Sequence, residues 1–343
     1  MILKRLRSYS ILCCWAFAAA TASSTAFAAN WQQLGTKEEP ITIAAVYAMS
    51  AIAPIVAWKN GNFAAHGVNI KNFVFTTSAS DTIAALQSDS AQFIVMTPEA
   101  IQRANTKNLG FQSIAGLYPQ FWSLLARSPS ASLKSDPKSI RGKTISVTAP
   151  GSGSWAFAMG YVKSLGLDAR DVQVVPLGGL STTLAGLKAG RVDVAVTWEP
   201  GTSQAIADGY AEVLVDLQQR DQRTALYGAD ETLSQVLVTK KAVIQENPKL
   251  VKDIYRALDD AIVWIRKARV DEVAAIMASA GGVKATPAFV EGVKRGVELL
   301  PTSAALSRRA YDATSNFMLR MGLLDSIQPF DEFAACKVAN CVE

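Results

Sequence analysis

Residues 139–200 constrain the chain more than any other stretch, because strand-like and helix-like patterns alternate within them with little room for loops. Residues 144–148 are β-branched and apolar, residues 149–154 form a loop of glycine and serine, and the apolar spacing of 155–165 predicts a helix that stops at Gly166. A second apolar run, 172–176, passes Gly178 and Gly179 into a helical pattern over 182–189. A third, 192–197, ends at Trp198, Glu199 and Pro200. Short buried strands alternating with helices imply right-handed crossovers in a parallel sheet. Ligands of such sheets bind beyond the carboxyl ends of the strands. Residues 151–155, 178–181 and 198–200 are therefore expected on one wall of a crevice.

The same rhythm opens the chain. Strands are expected at 41–46, 69–75 and 92–96, with loops 47–53, 76–80 and 97–99 at matching ends and helices over 54–59, 81–87 and 100–106. An extended run at 112–117 leads past Tyr118 and Trp122 into another at 123–127, where the chain is expected to cross to a second lobe. The strand over 234–239 is expected to bring it back. Residues 248–269, 271–278, 287–300 and 307–321 carry apolar stripes at helical spacing and are expected to cover the first lobe. The fold class is thus α/β: two lobes, each a doubly wound sheet, joined by two crossing segments. Residues 29–122 and 237–343 are assigned to lobe 1 and residues 123–236 to lobe 2.

A chain of 343 residues, half of them apolar, can bury a core in each lobe. Lys4, Arg5 and Arg7 precede the apolar run 11–20 and the small residues ending Ala26, Phe27, Ala28 and Ala29. That is the pattern of a secretory signal over residues 1–28, cut after Ala28. No other stretch approaches the roughly 20 apolar residues that a bilayer requires, so an exported, soluble, periplasmic protein is expected. Cys13 and Cys14 follow bulky residues where a lipoprotein signal has a small one, which favours free export over lipidation. Cys336 and Cys341 lie close together in an exported chain, where a local disulfide is the natural state. Loss of the three signal cations lowers the net charge from +5 to +2. Lys and Arg are scattered rather than interleaved with aromatics, so nucleic acid is not expected as a partner.

The loop Gly151, Ser152, Gly153, Ser154, Trp155 fits a dinucleotide fingerprint with Ala156, but Asp171 stands before the second strand where the ribose-binding acid should follow it. An anion or polar group is the preferred occupant, held by N–H groups at a helix start with the Ser152 and Ser154 hydroxyls; a plain glycine turn is the alternative. Ser78 and Ala79 offer the same on the facing lobe, where Ser80 or Asp81 serves equally as a helix cap. Tyr47, Tyr118, Trp122, Trp155 and Trp198 fall at strand ends or at a crossing, where they either close over a flat ligand or pack in the core. Glu199 either receives a ligand donor or holds the hinge, the hinge being the preferred reading. Met49, Ser50, Thr97 and Gly179 share these loops and complete the candidate ligand contacts. His66 is the only histidine and lies in a surface turn, so neither a Ser-His-Asp triad with a second choice of base nor a two-histidine metal site is expected, and no cofactor. Asp259, Asp260, Asp271 and Glu272 are read as solvated helix faces.

The order of these signals resembles the periplasmic solute-binding proteins of ABC importers, in the group that includes binders of aliphatic sulfonates, taurine, nitrate and thiamine-precursor pyrimidines. The residues that carry the resemblance are Gly61, Asn62 and Phe63 with His66, Gly67 and Val68, the segments 86–93, 140–145 and 187–194, Gly151 to Gly153, Trp198 to Pro200, and Asn247 with Pro248. It spans nearly the whole exported chain. Ala64, Ala65 and His66 stand where the family turn is usually acidic or glycine-rich. The resemblance implies a hinged type II binding-protein clamp, a small organic anion such as a sulfonate or carboxylate as ligand, delivery to an inner-membrane ABC permease, and a monomer. A periplasmic ligand sensor is the alternative. A pyrimidine-synthesis-type enzyme on the same scaffold is disfavoured, since its cysteine-rich segment is missing, and no catalytic residue is assigned.

Overall fold

The computed structural model describes residues 31–343; the expected signal segment, its cleavage site, and Cys13 and Cys14 lie outside the described residues. Ten strands build two sheets. They are β1 (Ile41–Val46), β2 (Ile70–Thr76), β3 (Phe93–Met96), β4 (Phe111–Tyr118), β5 (Ser123–Arg127), β6 (Thr144–Val147), β7 (Gln173–Pro176), β8 (Val194–Thr197), β9 (Ala211–Asp216) and β10 (Gln235–Lys240).

The first sheet has the order β2-β1-β3-β10-β4 and the second β7-β6-β8-β5-β9. In the first, β1 runs parallel to β2 and β3, and β10 is antiparallel to both β3 and β4. In the second, β6 runs parallel to β7 and β8, and β5 is antiparallel to both β8 and β9. Each lobe thus takes as its one antiparallel member the strand that enters just after a crossing. The return starts at Gln235, which pairs with Tyr118, two residues ahead of the expected start of lobe 1 at 237.

The central strands are apolar on both faces, as a sheet covered by helices on each side requires. Ile43, Phe93, Ile94, Leu237, Ile145 and Val194 have no exposed surface. One apolar cluster continues from the first sheet through Leu117, Tyr118, Phe121 and Trp122 into Leu124 and the second sheet, so the crossing itself is core. Strand β9 was not anticipated, although Val213, Leu214 and Val215 in a row are strand-forming residues.

The late helices depart from expectation. Pro248–Ile265 packs on Ile52–Lys59 in lobe 1, as expected. The helices Pro287–Leu299 and Arg308–Arg320, by contrast, also reach lobe 2. A Cβ on Gly292 would stand 2.9 Å from Glu199 Oε2 and from Pro200 Cα, and one on Gly160 would meet the Phe317 ring at 2.3 Å. A side chain at either position would collide, with the Phe317 ring at Gly160 and with Glu199 and Pro200 at Gly292. At the C-terminal end, Leu306–Ser307 pairs with Cys341–Val342, and Cys336 and Cys341 form a disulfide.

Candidate functional site

The loops after β1, β2, β3, β6 and β8 meet between the lobes around a cavity of about 60 Å³. Ser50, Ser78, Ala79, Thr97, Trp122, Ser152, Gly153 and Trp198 line it, all of them candidate contacts from the sequence. Val46, Ala48, Thr77, Val95, Met96, Phe121, Thr148 and Gln235 line it too. Most of these flank the loop positions singled out above, and their strand-end placement was the available signal. Gln235 comes from the returning strand, and nothing local marks it.

Three helices start at this cavity. Ser78 caps Ala79–Gln87, its hydroxyl accepting from Asp81 N, so neither Ser80 nor Asp81 is the cap and the helix starts before the expected residue 81. Ser152 caps Gly153–Ser164, its hydroxyl accepting from Trp155 N. Thr97 precedes Pro98–Asn105 without a side-chain cap bond. The first N–H groups of a helix have no partner within it and carry its positive end. No charged side chain lines the cavity. Thr97 Oγ1 and the Trp198 indole Nε1 are buried without a hydrogen-bond partner among the described residues. The indole can only donate, so it too favours an acceptor in the cavity. Phe121 stacks on Trp122 at 4.5 Å and Trp122 meets Trp198 edge-on at 5.7 Å, giving the remaining wall an aromatic surface.

The other candidates are placed elsewhere, and the reasons are physical. Tyr47 donates to Met277 O and packs edge-on against Phe75, and burial raises its phenol well above the usual range. Tyr118 is buried and donates to Gly296 O, and Met49 packs against the same glycine. Ser154 is used internally, with its Oγ 2.9 Å from Thr148 N and from Ser152 Oγ. Trp155 is half-buried behind the cap. Gly151 lies against the Arg103 guanidinium, and Gly179 faces Thr77 O across the gap between lobes. None of these seven lines the cavity.

Glu199, the eighth, is held inside the protein. It is 1% exposed, ion-paired with Arg295 at 3.1 Å, and its Oε2 accepts from Ser203 N. Arg295 also binds Asp216 at the end of β9. Burial pushes the Glu199 carboxyl above its ordinary range, and Arg295 opposes that shift. Sequence reasoning missed Arg295, because it stands on a helix read as a cover of lobe 1. Asp171, excluded above as a ribose ligand, is bound to Arg141 and accepts from Asp168 N. His66, read as an exposed spectator, is 2.7 Å from Asp260, and Asp259 accepts from Ala304 N, so neither acid is merely solvated.

Two further features adjoin the cavity. Glu99, the second residue of Pro98–Asn105, is fully buried, and burial pushes its carboxyl above the usual range against the pull of Arg103. A Cβ on Gly153 would stand 2.9 Å from Glu99 Oε1 and 3.0 Å from Trp122, so lobe 1 presses directly on this helix start. A wider groove of about 1090 Å³ runs along the surface and shares Ala79 and Ser152 with the cavity.

The sequence model of the family described as NMT1/THI5 like matches residues 49–268. No curated protein matches the sequence significantly. Among solved structures, a protein from Bordetella bronchiseptica RB50 superposes with a TM-score of 0.73 at 18% identity, over 88% of this chain and 94% of that one. The periplasmic aliphatic sulphonate binding protein SsuA from Escherichia coli gives 0.66 at 15%, over 86% and 92%. The periplasmic nitrate-binding protein NrtA from Synechocystis PCC 6803 gives 0.67 at 14%, over 88% and 86%. At these identities the likeness is one of fold, the two-lobe periplasmic binding protein fold.

Proposed function

Given that this chain belongs to the NMT1/THI5 like family and has the two-lobe periplasmic binding protein fold, we propose that it is the periplasmic binding component of an ABC-type importer, closing on a small organic anion and delivering it to a membrane permease. The lobes divide near residues 122 and 236 and move about the two crossings. The observation that carries the ligand class is the meeting of three helix starts on a cavity with hydroxyl and indole donors and no acidic side chain in its lining. An anionic oxygen there is held by backbone N–H groups already fixed in direction, and no arginine is needed. Trp122 and Trp198 provide apolar cover for a carbon body. Binding is then a population shift: the ligand meets both rims only in the closed form and so stabilises that form.

The test is a thermal-shift screen of the protein, stripped of co-purified ligand, against sulfonates, aliphatic and aromatic carboxylates, nitrate and pyrimidines. A ligand of the native state raises the midpoint, and the rise grows with the logarithm of its concentration above the Kd. A concentration-dependent rise confined to sulfonates or carboxylates supports the reading. A rise with pyrimidines alone would refute the anion class while leaving the binding role.

A further inference from the structure

The cavity and the Ala79 and Ser152 rim it shares with the groove are too small for most ligands of a binding protein. A volume of about 60 Å³ is far below the roughly 300 Å³ at which pockets for drug-sized ligands begin. A head group of a few atoms fills it, and any longer body must leave it. The groove begins where the two share a rim, so the body leaves past the starts of Ala79–Gln87 and Gly153–Ser164.

Arg103 stands on that path. It lines the groove, it is half-buried, and its guanidinium lies 3.7 to 3.9 Å from the position of a Cβ on Gly151, the loop that lobe 2 brings over it. Among the described residues its side chain makes no hydrogen bond and no ion pair within 4.0 Å. Its acidic neighbour on the same helix, Glu99, has Oε1 turned toward Gly153, and among the described residues neither it nor Asp325 or Glu332 of the same groove comes within 4.0 Å of the guanidinium. A guanidinium partly removed from water without a partner is costly, and a planar fork of donors is matched by a carboxylate or sulfonate.

We propose that Arg103 is a second anion subsite, and that this chain selects elongated molecules carrying an anionic group at each end over monoanions with the same head. This rests on the anion reading of the cavity. One end sits at the helix starts, the carbon body crosses the Ala79 and Ser152 rim, and the far anionic group meets Arg103 under the Gly151 loop. Closure brings that loop over Arg103, so the far group is sensed only in the closed form.

The test is titration calorimetry of the wild type, Arg103→Gln and Arg103→Lys with matched probes. These are succinate, glutarate, adipate and pimelate, each beside the monocarboxylate of equal length, and sulfoacetate beside ethanesulfonate. The wild type is expected to prefer at least one doubly charged probe by tenfold or more. That preference should fall to within about threefold in R103Q and be partly retained in R103K, as the loss of one charge-assisted contact implies. Binding of single and double anions with equal affinity, or a preference unchanged in R103Q, overturns the subsite and leaves the anion reading standing. No binding of any anion overturns both.

Discussion

Two loops of the second sheet, residues 148–153 after β6 and 198–200 after β8, leave parallel neighbouring strands at the same end, yet they serve opposite purposes. The first puts Thr148, Ser152 and Gly153 on the cavity wall: Ser152 spends its hydroxyl on Ala149 O and on the cap of Trp155 N, and the helix that it caps starts there. The second holds the most polar residue of either loop, Glu199, and that residue is consumed by Arg295 and Ser203. A charged residue at a strand end is therefore not the better sign of a ligand contact. Where a carboxylate is buried it must be paired, and the pairing removes it from the site. Polar groups that remain available are the ones the fold cannot satisfy locally, helix-start N–H groups above all.

That contrast can be broken most severely at the Glu199 pair. Arg295→Ala leaves Glu199 and Asp216, 1% and 5% exposed, without their cation. Removing one member of a buried ion pair costs about 3–5 kcal/mol, which denaturant unfolding reads directly. A loss below about 1 kcal/mol would mean that the Glu199 loop is held by something other than this pair.

At the open loop the expected effect is smaller and falls on binding. Gly153→Ala puts a methyl 2.9 Å from Glu99 Oε1 and 3.0 Å from Thr97 Cγ2 and Trp122 Cζ2, at the place where the lobes press together. Overpacking of this kind costs about 1–3 kcal/mol. It is borne by the closed form only, so ligand affinity should fall roughly tenfold or more while small-angle scattering reports a larger radius with ligand present. Unchanged affinity would show that the lobes do not touch here when ligand binds.

The third test reads the burial of Glu99 by pH. Glu99 has a folded pKa raised by burial from its ordinary 4.5. Its contribution to stability is therefore complete below that ordinary value and is lost as pH rises through the folded pKa. Glu99→Gln should remove this loss, so the variant gains on the wild type as pH increases from about 4.5, by about 1.4 kcal/mol for each unit by which the pKa is raised. Parallel stability curves for the two proteins between pH 4 and 8 would show that Glu99 is solvated.

Much of this was legible in the chain. The alternation of patterns over residues 139–200 set the parallel sheet and the end at which loops collect, and eight of the expected contacts, Ser78, Ser152 and Trp198 among them, line the cavity. For Tyr47 and Tyr118 the sequence left two readings open, because an aromatic at a strand end has the same pattern whether it faces a ligand or a carbonyl. Their phenols found Met277 O and Gly296 O on helices far along the chain. The helices Pro287–Leu299 and Arg308–Arg320 showed the apolar stripes that bury them, but a stripe does not name the surface it covers.

The sequence by itself determined the strand, loop and helix rhythm, the glycine and serine starts of the helices, and hence the end of the sheet at which a crevice forms. These follow from local periodicity and capping, which act over a few residues. Only the tertiary structure decided that Glu199 belongs to Arg295, that Arg103 has no hydrogen-bond or ion-pair partner among the described residues, and how little room is left between the loops. A charge's partner and a cavity's size depend on which distant segments pack together, and no local pattern carries that information.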